Sequence, residues 1–287
     1  MPLGAHLPTG KGFSHTLKHA QTLGCDCLQI FSKSPQQWNA KPLDLEKTAL
    51  FRDEWCAAGL SPLVAHDSFL INLASSDDAL RDKSILAMID ENERADLLGC
   101  DYLVTHCGAH VQKDCADGEE LGLQRLIASL HRVLESTPDA RVKIALENTA
   151  AQGTSLGGPF EHLHRVLDAL NSDRLRVCFD TCHAHAAGYD LSTPEKVQFV
   201  VEDFNRTVGL DKLAVIHLND SKGAAGKHLD RHEHISLGAI GRDAMQAIVT
   251  HPLLQHLPFI LETPEVETMI ETNLQTVREL RGEVFIN

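Results

Sequence analysis

The sequence is poor in positive charge, in tryptophan and tyrosine, and in long apolar runs, and it has no C-x-x-C pair. Each absence excludes something. With 26 Lys and Arg against 40 Asp and Glu, the formal net charge is -14, so polyanions are not held by bulk electrostatics and any nucleic-acid partner has to be gripped locally. No apolar run approaches the roughly 20 residues of a helical membrane span. Met1 to Gly12 is too polar and too short for a signal peptide. The expectation is a soluble protein of the cytoplasm or nucleoid, without a membrane partner. The eight cysteines are scattered and read as small core residues in a reducing compartment. Cys25 and Cys27 could ligate a metal together, but no histidine lies at zinc-finger spacing from them. No linker, low-complexity tract or charge block interrupts the chain, so 1–287 reads as one domain.

What is abundant is histidine, 17 residues of it, and histidine is a common metal ligand and proton carrier. Along the chain, short apolar runs alternate with longer amphipathic stretches. Eight runs have strand length: Leu3 to His6, Cys27 to Phe31, Leu63 to His66, Tyr102 to His106, Val142 to Glu147, Val177 to Asp180, Leu213 to His217, and Phe259 to Glu262. Helical spacing marks Asp77 to Leu98, where Leu80, Ser84, Ala87, Met88 and Glu91 follow one another at steps of one, three or four, and it recurs in Leu121 to Leu134, Phe160 to Leu170, Pro194 to Val208 and Glu265 to Leu280. Strands alternating with helices pair in parallel through crossovers. Eight such units predict a closed α/β structure, the (β/α)8 TIM barrel, typically of about 250 residues. An open doubly wound sheet finds no support, because no G-x-G-x-x-G follows the first strand.

On that scaffold, predicted strands three to eight end in His66, His106, Glu147, Asp180, His217 and Glu262. The C-terminal tips of barrel strands encircle one mouth, where active sites of this fold sit. Any one of these residues could be a hydrogen-bonded structural residue; six in register point to a site. His183, expected in the loop after Asp180, adds a further donor. Asp230 and His232, at i and i+2, point the same way if their segment is extended. Nine imidazole and carboxylate donors without thiolate suit Zn, Mn or Fe, and are too many for one ion but about right for two or three. Multi-metal clusters of this kind hydrolyse phosphate esters, activating water and holding the oxygens of an in-line displacement.

Three motifs then carry a resemblance: L-E-N-T-A-A-Q-G from Leu146, F-D-T-C-H-A-H-A-A-G-Y-D from Phe179, and H-L-N-D-S-K from His217 continuing to D-R-H-E-H-I-S-L-G from Asp230. The sequence resembles the endonuclease IV family of apurinic/apyrimidinic endonucleases over essentially its whole length. The resemblance implies three zinc ions (Zn2+, with Mn2+ or Fe2+ as alternatives at one or more sites). His66, His106 and the bridging Glu147 would hold the first; Glu147, Asp180, His217 and Glu262 the second; His183, Asp230 and His232 the third. It implies catalytic roles for Glu147 and Glu262, and a duplex DNA substrate cleaved on the 5' side of an abasic site to leave a 3'-hydroxyl and a 5'-deoxyribose phosphate. Trimming of blocked 3' ends, a part in base excision repair, and a monomeric state belong to the same expectation. Gln36, Phe69 and Leu70 would enter the duplex. Gln36 stands where the family often has Arg, Phe69 where Tyr is common, and Ala151 and Ser236 replace glycines of the usual motifs. A sugar isomerase or epimerase on a related barrel needs one or two ions and a free acid/base, and leaves Asp230 and His232 without a task. A non-enzymatic metal store or lesion-marking DNA binder fits poorly with donors gathered in a catalytic mouth.

Overall fold

Runs such as Leu63–His66 and Leu213–His217 are buried along their whole length, as strands covered on both faces must be. The computed structural model describes residues 1–283. Its strands are β1 (Leu3–His6), β2 (Cys27–Phe31), β3 (Leu63–His66), β4 (Tyr102–His106), β5 (Lys143–Glu147), β6 (Leu175–Asp180), β7 (Leu213–His217), β8 (Asp220–Ser221), β9 (His232–Glu233) and β10 (Phe259–Leu261). All but β8 and β9 close into a parallel barrel in the order β1-β10-β7-β6-β5-β4-β3-β2. The short β8 and β9 form an antiparallel hairpin of their own beyond β7.

The helices are α1 (Phe13–Thr22), α2 (Leu45–Ala58), α3 (Asp78–Leu98), α4 (Gly118–Ser136), α5 (Phe160–Leu170), α6 (Thr181–Ala187), α7 (Pro194–Thr207), α8 (Arg242–Val249) and α9 (Val266–Leu280). No helix among the described residues is long and apolar enough to cross a membrane. The longest, α3, is set at both ends by its sequence. Asp77 caps it by accepting from the backbone N–H of Ala79 and Leu80 at 2.9 and 3.1 Å, and Gly99 closes it in the left-handed conformation at φ 80°. Its buried face, Ser84, Ala87, Met88, Glu91, Ala95 and Leu98, follows the predicted spacing, with Leu80 only half-buried.

Two apolar layers hold the barrel. Cys27, Val64, Val104, Ala145, Cys178, Val215 and Ile260 fill one small cluster, and a much larger one joins strands to helices. Small residues at the first cluster let strands approach closely: a Cβ on Gly4 would sit 2.0 Å from the Cys27 carbonyl oxygen. With that interior packed, the strand-tip side chains meet open space at the mouth and not inside the barrel.

Candidate metal centre

Strand register brings the predicted side chains to one level. His106 on β4 pairs with Glu147 on β5, and Asp180 on β6 with His217 on β7. Glu262 falls one residue beyond β10, because that strand ends at Leu261. His183 is not in a loop, as expected from sequence; it lies in α6, which begins directly after β6. Asp180 makes this start possible, since its Oδ1 accepts from the His183 backbone N–H at 2.7 Å and caps the helix. His232 is in β9, whose pairing with β8 turns it inward beside Asp230.

Glu147 is at the centre, fully buried, and divides its carboxylate between two groups of histidines. Oε2 lies 3.3 Å from His66 Nε2 and 3.1 Å from His106 Nε2. Oε1 lies 3.1 Å from the Nδ1 atoms of both His183 and His217. His217 Nδ1 also faces Glu262 Oε2 at 3.2 Å, and His183 Nε2 faces Asp230 Oδ1 at 3.3 Å. Three sets have donor atoms within 4.8 Å of one another: His66, His106 and Glu147; Glu147, Asp180, His217 and Glu262; His183, Asp230 and His232. A further set, Asp180, Cys182 and His232, overlaps the last two.

The outer nitrogens show how the rings are held. His66 Nδ1 is 3.0 Å from the Asp67 carbonyl oxygen, His183 Nδ1 3.0 Å from that of Asn148, and His232 Nδ1 2.9 Å from that of Glu262. A carbonyl only accepts, so each of these nitrogens donates, which leaves Nε2 as the atom each ring turns inward and the one that could face a cation once it gives up its proton. Asn148 exchanges two hydrogen bonds with the Asp180 backbone. Asn219 donates to Asp180 Oδ2 at 2.7 Å and accepts from the Glu262 N–H at 2.9 Å. Sequence reasoning gave no role to these two asparagines, nor to His6 and Gln29, although Asn148 directly follows Glu147, Asn219 lies two residues after His217, His6 ends β1 and Gln29 interrupts a buried strand.

The electrostatics follow from crowding opposite charges in a buried place. Burial pushes the Glu147 carboxyl up, but the imidazoles around it, His217 foremost, outweigh this and hold it well below the carboxylate range. Burial likewise opposes a charge on His66 and His183. Glu147 carries His66 up to about 10 nevertheless, and Asp180, Asp230 and Glu147 carry His183 well above its ordinary value. Its hydrogen bond from His183 lowers Asp230 to about 2. The carboxylates thus demand compensating positive charge at this spot.

The centre opens to a cleft of about 420 Å³ lined by His6, Phe31, His66, Phe69, Glu262 and Val266 among others. A second hollow of about 320 Å³ adjoins it, and Phe69, His106, His183 and Asp230 line both. Phe69 is 64% exposed and stands edge-on to Phe31 at 5.4 Å; Leu70 beside it is half-buried. Gln36 is exposed on the loop after β2. That loop is fastened to α3: Lys33 Nζ donates to Asp90 at 2.7 Å, Ser32 Oγ to Glu91 at 2.5 Å, and Arg94 to the carbonyls of Ser32 and Lys41 at 3.3 and 3.0 Å. Ser68 Oγ, donating to the Pro35 carbonyl at 2.7 Å, ties it to the segment that carries Phe69.

Residues 17–280 match a family described as a xylose isomerase-like TIM barrel. A curated protein of Chloroflexus aggregans named "Probable endonuclease 4" is 44% identical over 280 residues, covering 96% of each chain. The chain belongs to the endonuclease IV family. The solved endonuclease IV of Thermus thermophilus superposes with a TM-score of 0.85 at 33% identity, covering 99% of this chain and 100% of that one. A D-tagatose 3-epimerase-like protein aligns with a TM-score of 0.68 at 18% identity and shares the barrel alone. Endonuclease IV membership therefore rests on the whole length of the chain.

Proposed function

We propose that this protein is a zinc-dependent DNA-repair endonuclease that hydrolyses the phosphodiester 5' to an abasic site, with 1–287 acting as one monomeric catalytic domain in the cytoplasm or nucleoid. The observation that carries it is Glu147, whose two oxygens face separate groups of histidines. The donors fit divalent ions on their own chemistry. The inward nitrogens of His66, His183 and His217 face carboxylate oxygens, and His232 Nε2 is buried with no hydrogen-bond partner. His66, His106 and Glu147 would hold one ion, Glu147, Asp180, His217 and Glu262 a second, and His183, Asp230 and His232 a third.

Divalent ions held there supply Lewis acidity, lowering the pKa of water and neutralising charge on the phosphate oxygens. The protein's part is positional. Glu147 and Glu262 fix the spacing of the sets, and Phe69, Leu70 and Gln36 at the rim fill the gap in the base stack. A nucleotide without a base costs less to extrude, and the cleft admits it more easily than a whole nucleotide. A blocked 3' end would bring a phosphate ester of the 3' oxygen to the same donors, so trimming of such ends belongs to this reading. The His183, Asp230 and His232 set has no task in a sugar epimerase, which disfavours that alternative.

The test is a duplex with a single abasic site, incubated with protein as purified and after chelation, with both new ends identified. Cleavage that leaves a 3'-hydroxyl and is lost on chelation is expected. Elemental analysis of the same sample should give close to three zinc ions; a fully active protein with one ion would overturn the trinuclear assignment.

A further inference from the structure

β1 and β2 contribute none of the nine expected ligands, yet they bring His6 and Gln29 into register at the mouth. Gln29 is fully buried in the middle of an otherwise apolar strand, so its amide needs partners. Its Nε2 lies 2.6 Å from Glu262 Oε1 and 2.9 Å from His6 Nδ1, and its Oε1 lies 2.8 Å from His217 Nε2. A carboxylate only accepts, so the amide nitrogen must be the atom facing Glu262. The amide oxygen then faces His217 and also only accepts, which places the His217 ring hydrogen on Nε2. What is left of His217 is Nδ1, the atom directed at Glu147 Oε1 and Glu262 Oε2 at 3.1 and 3.2 Å. On Glu262, Oε1 is drawn outward by Gln29 and His6, which leaves Oε2 toward the centre.

We propose that Gln29 is a positioning residue for the ion held by Glu147, Asp180, His217 and Glu262, one amide setting both the tautomer of the β7 histidine and the orientation of the carboxylate after β10. This rests on the metal-centre reading above. Outer partners of metal-binding histidines and carboxylates fix ring orientation and ligand basicity, and removing one typically costs about 10- to 100-fold in metal affinity. Gln29 is placed to do so at once for two ligands, one at the end of β7 and one just after β10.

Zinc-loaded wild type and Gln29→Met are titrated with chelators of graded strength while bound zinc is counted. The imidazole N–H signal of His217 is followed in parallel by proton NMR. Methionine preserves the volume and removes both hydrogen bonds. One zinc per chain is expected to leave Gln29→Met at about 10- to 100-fold lower chelator strength, with the other two unmoved and the His217 N–H signal lost to exchange with water. A merely structural role would lower the melting temperature without singling out one ion or that signal. Release of all three ions together at wild-type chelator strength, with the signal intact, overturns the proposal. Should Gln29→Met fail to fold, Gln29→Glu decides. Its carboxylate keeps an acceptor for His217, so the N–H signal must persist, and its loss refutes the role of the amide oxygen. A wild type that takes up no zinc would sink the metal centre and this role together, whereas a fully loaded wild type matched by Gln29→Met sinks this role alone.

Discussion

His106 and Glu147 stand opposite each other in register on β4 and β5, with Nε2 of the one 3.1 Å from Oε2 of the other. The pairing fixes one carboxylate oxygen on the His66 and His106 side and turns the other toward His183 and His217. Glu147→Gln would convert one of these two oxygens into an N–H donor, which cannot accept a cation. Cleavage of abasic-site DNA should fall by far more than tenfold, about 1.4 kcal/mol, while circular dichroism shows an intact barrel. A variant that keeps over a tenth of wild-type turnover would show that Glu147 bridges nothing.

Stability should depend on pH differently with and without metal. Glu147 overrides the opposing effect of burial and raises the His66 pKa to about 10, from roughly 6.5 in an unfolded chain. A raised histidine stabilises the fold fully below its unfolded pKa, and that contribution is lost as pH climbs through the folded value. Between about pH 6.5 and 10 the melting temperature of chelator-stripped protein should therefore fall. Bound ions replace these protons, so zinc-loaded protein should show a shallower decline. Parallel curves would mean that His66 does not exchange a proton for metal.

At the rim, grip separates from chemistry. Phe69 is exposed and Gln36 lies on the braced loop after β2, and neither belongs to a donor set. Phe69→Ala should weaken binding to abasic-site duplex by about 1 to 3 kcal/mol, the usual worth of stacking on a base, with zinc content unchanged. Gln36→Arg should tighten binding and steepen its salt dependence. An unaltered salt slope for Gln36→Arg would place this loop away from the DNA.

Ala151 and Ser236 sit at φ 52° and 69°, a left-handed region that costs a residue with a Cβ about 1 to 2 kcal/mol. Both stand where the family resemblance implies glycine. Ala151→Gly should therefore stabilise the protein, by up to about 1 kcal/mol once the greater freedom of unfolded glycine is subtracted, read as a small rise in melting temperature. A fall would show that packing of the Ala151 methyl against Gly158 outweighs the backbone strain.

The barrel was legible because buried parallel strands are continuous apolar runs, and such runs end where a polar residue meets the mouth. Strand limits shifted only slightly: β5 starts at Lys143, one residue later than read, β6 at Leu175, two earlier, and β10 stops before Glu262. The helix α6 was missed because T-C-H-A-H-A-A carries no apolar stripe; its start depends on the cap that Asp180 provides. The two-residue strands of the β8 and β9 hairpin are too short for any periodicity. Helices α1, α2 and α8 went unmarked among the predicted segments; the buried positions of α2, for instance, are only Thr48, Phe51 and Trp55. Of the site, all nine donors were readable as strand tips and motif residues. The braces were harder. Asn148, Asn219 and Gln29 act through hydrogen bonds whose partners are distant in the sequence, and a lone buried amide announces only that it needs a partner.

The fastening of the β2 loop to α3 bears on how fast the protein finds damage. Lys33, Ser32 and Arg94 fix the loop through side chains that are themselves buried. Its backbone freedom is thus given up when the barrel folds and not when DNA arrives. If this rim meets DNA as proposed, it can test each passing nucleotide without reordering itself. On that reading the slow event in a productive encounter is expected on the DNA side, in the unstacking of the lesion, with a rate that follows the stability of the flanking base pairs.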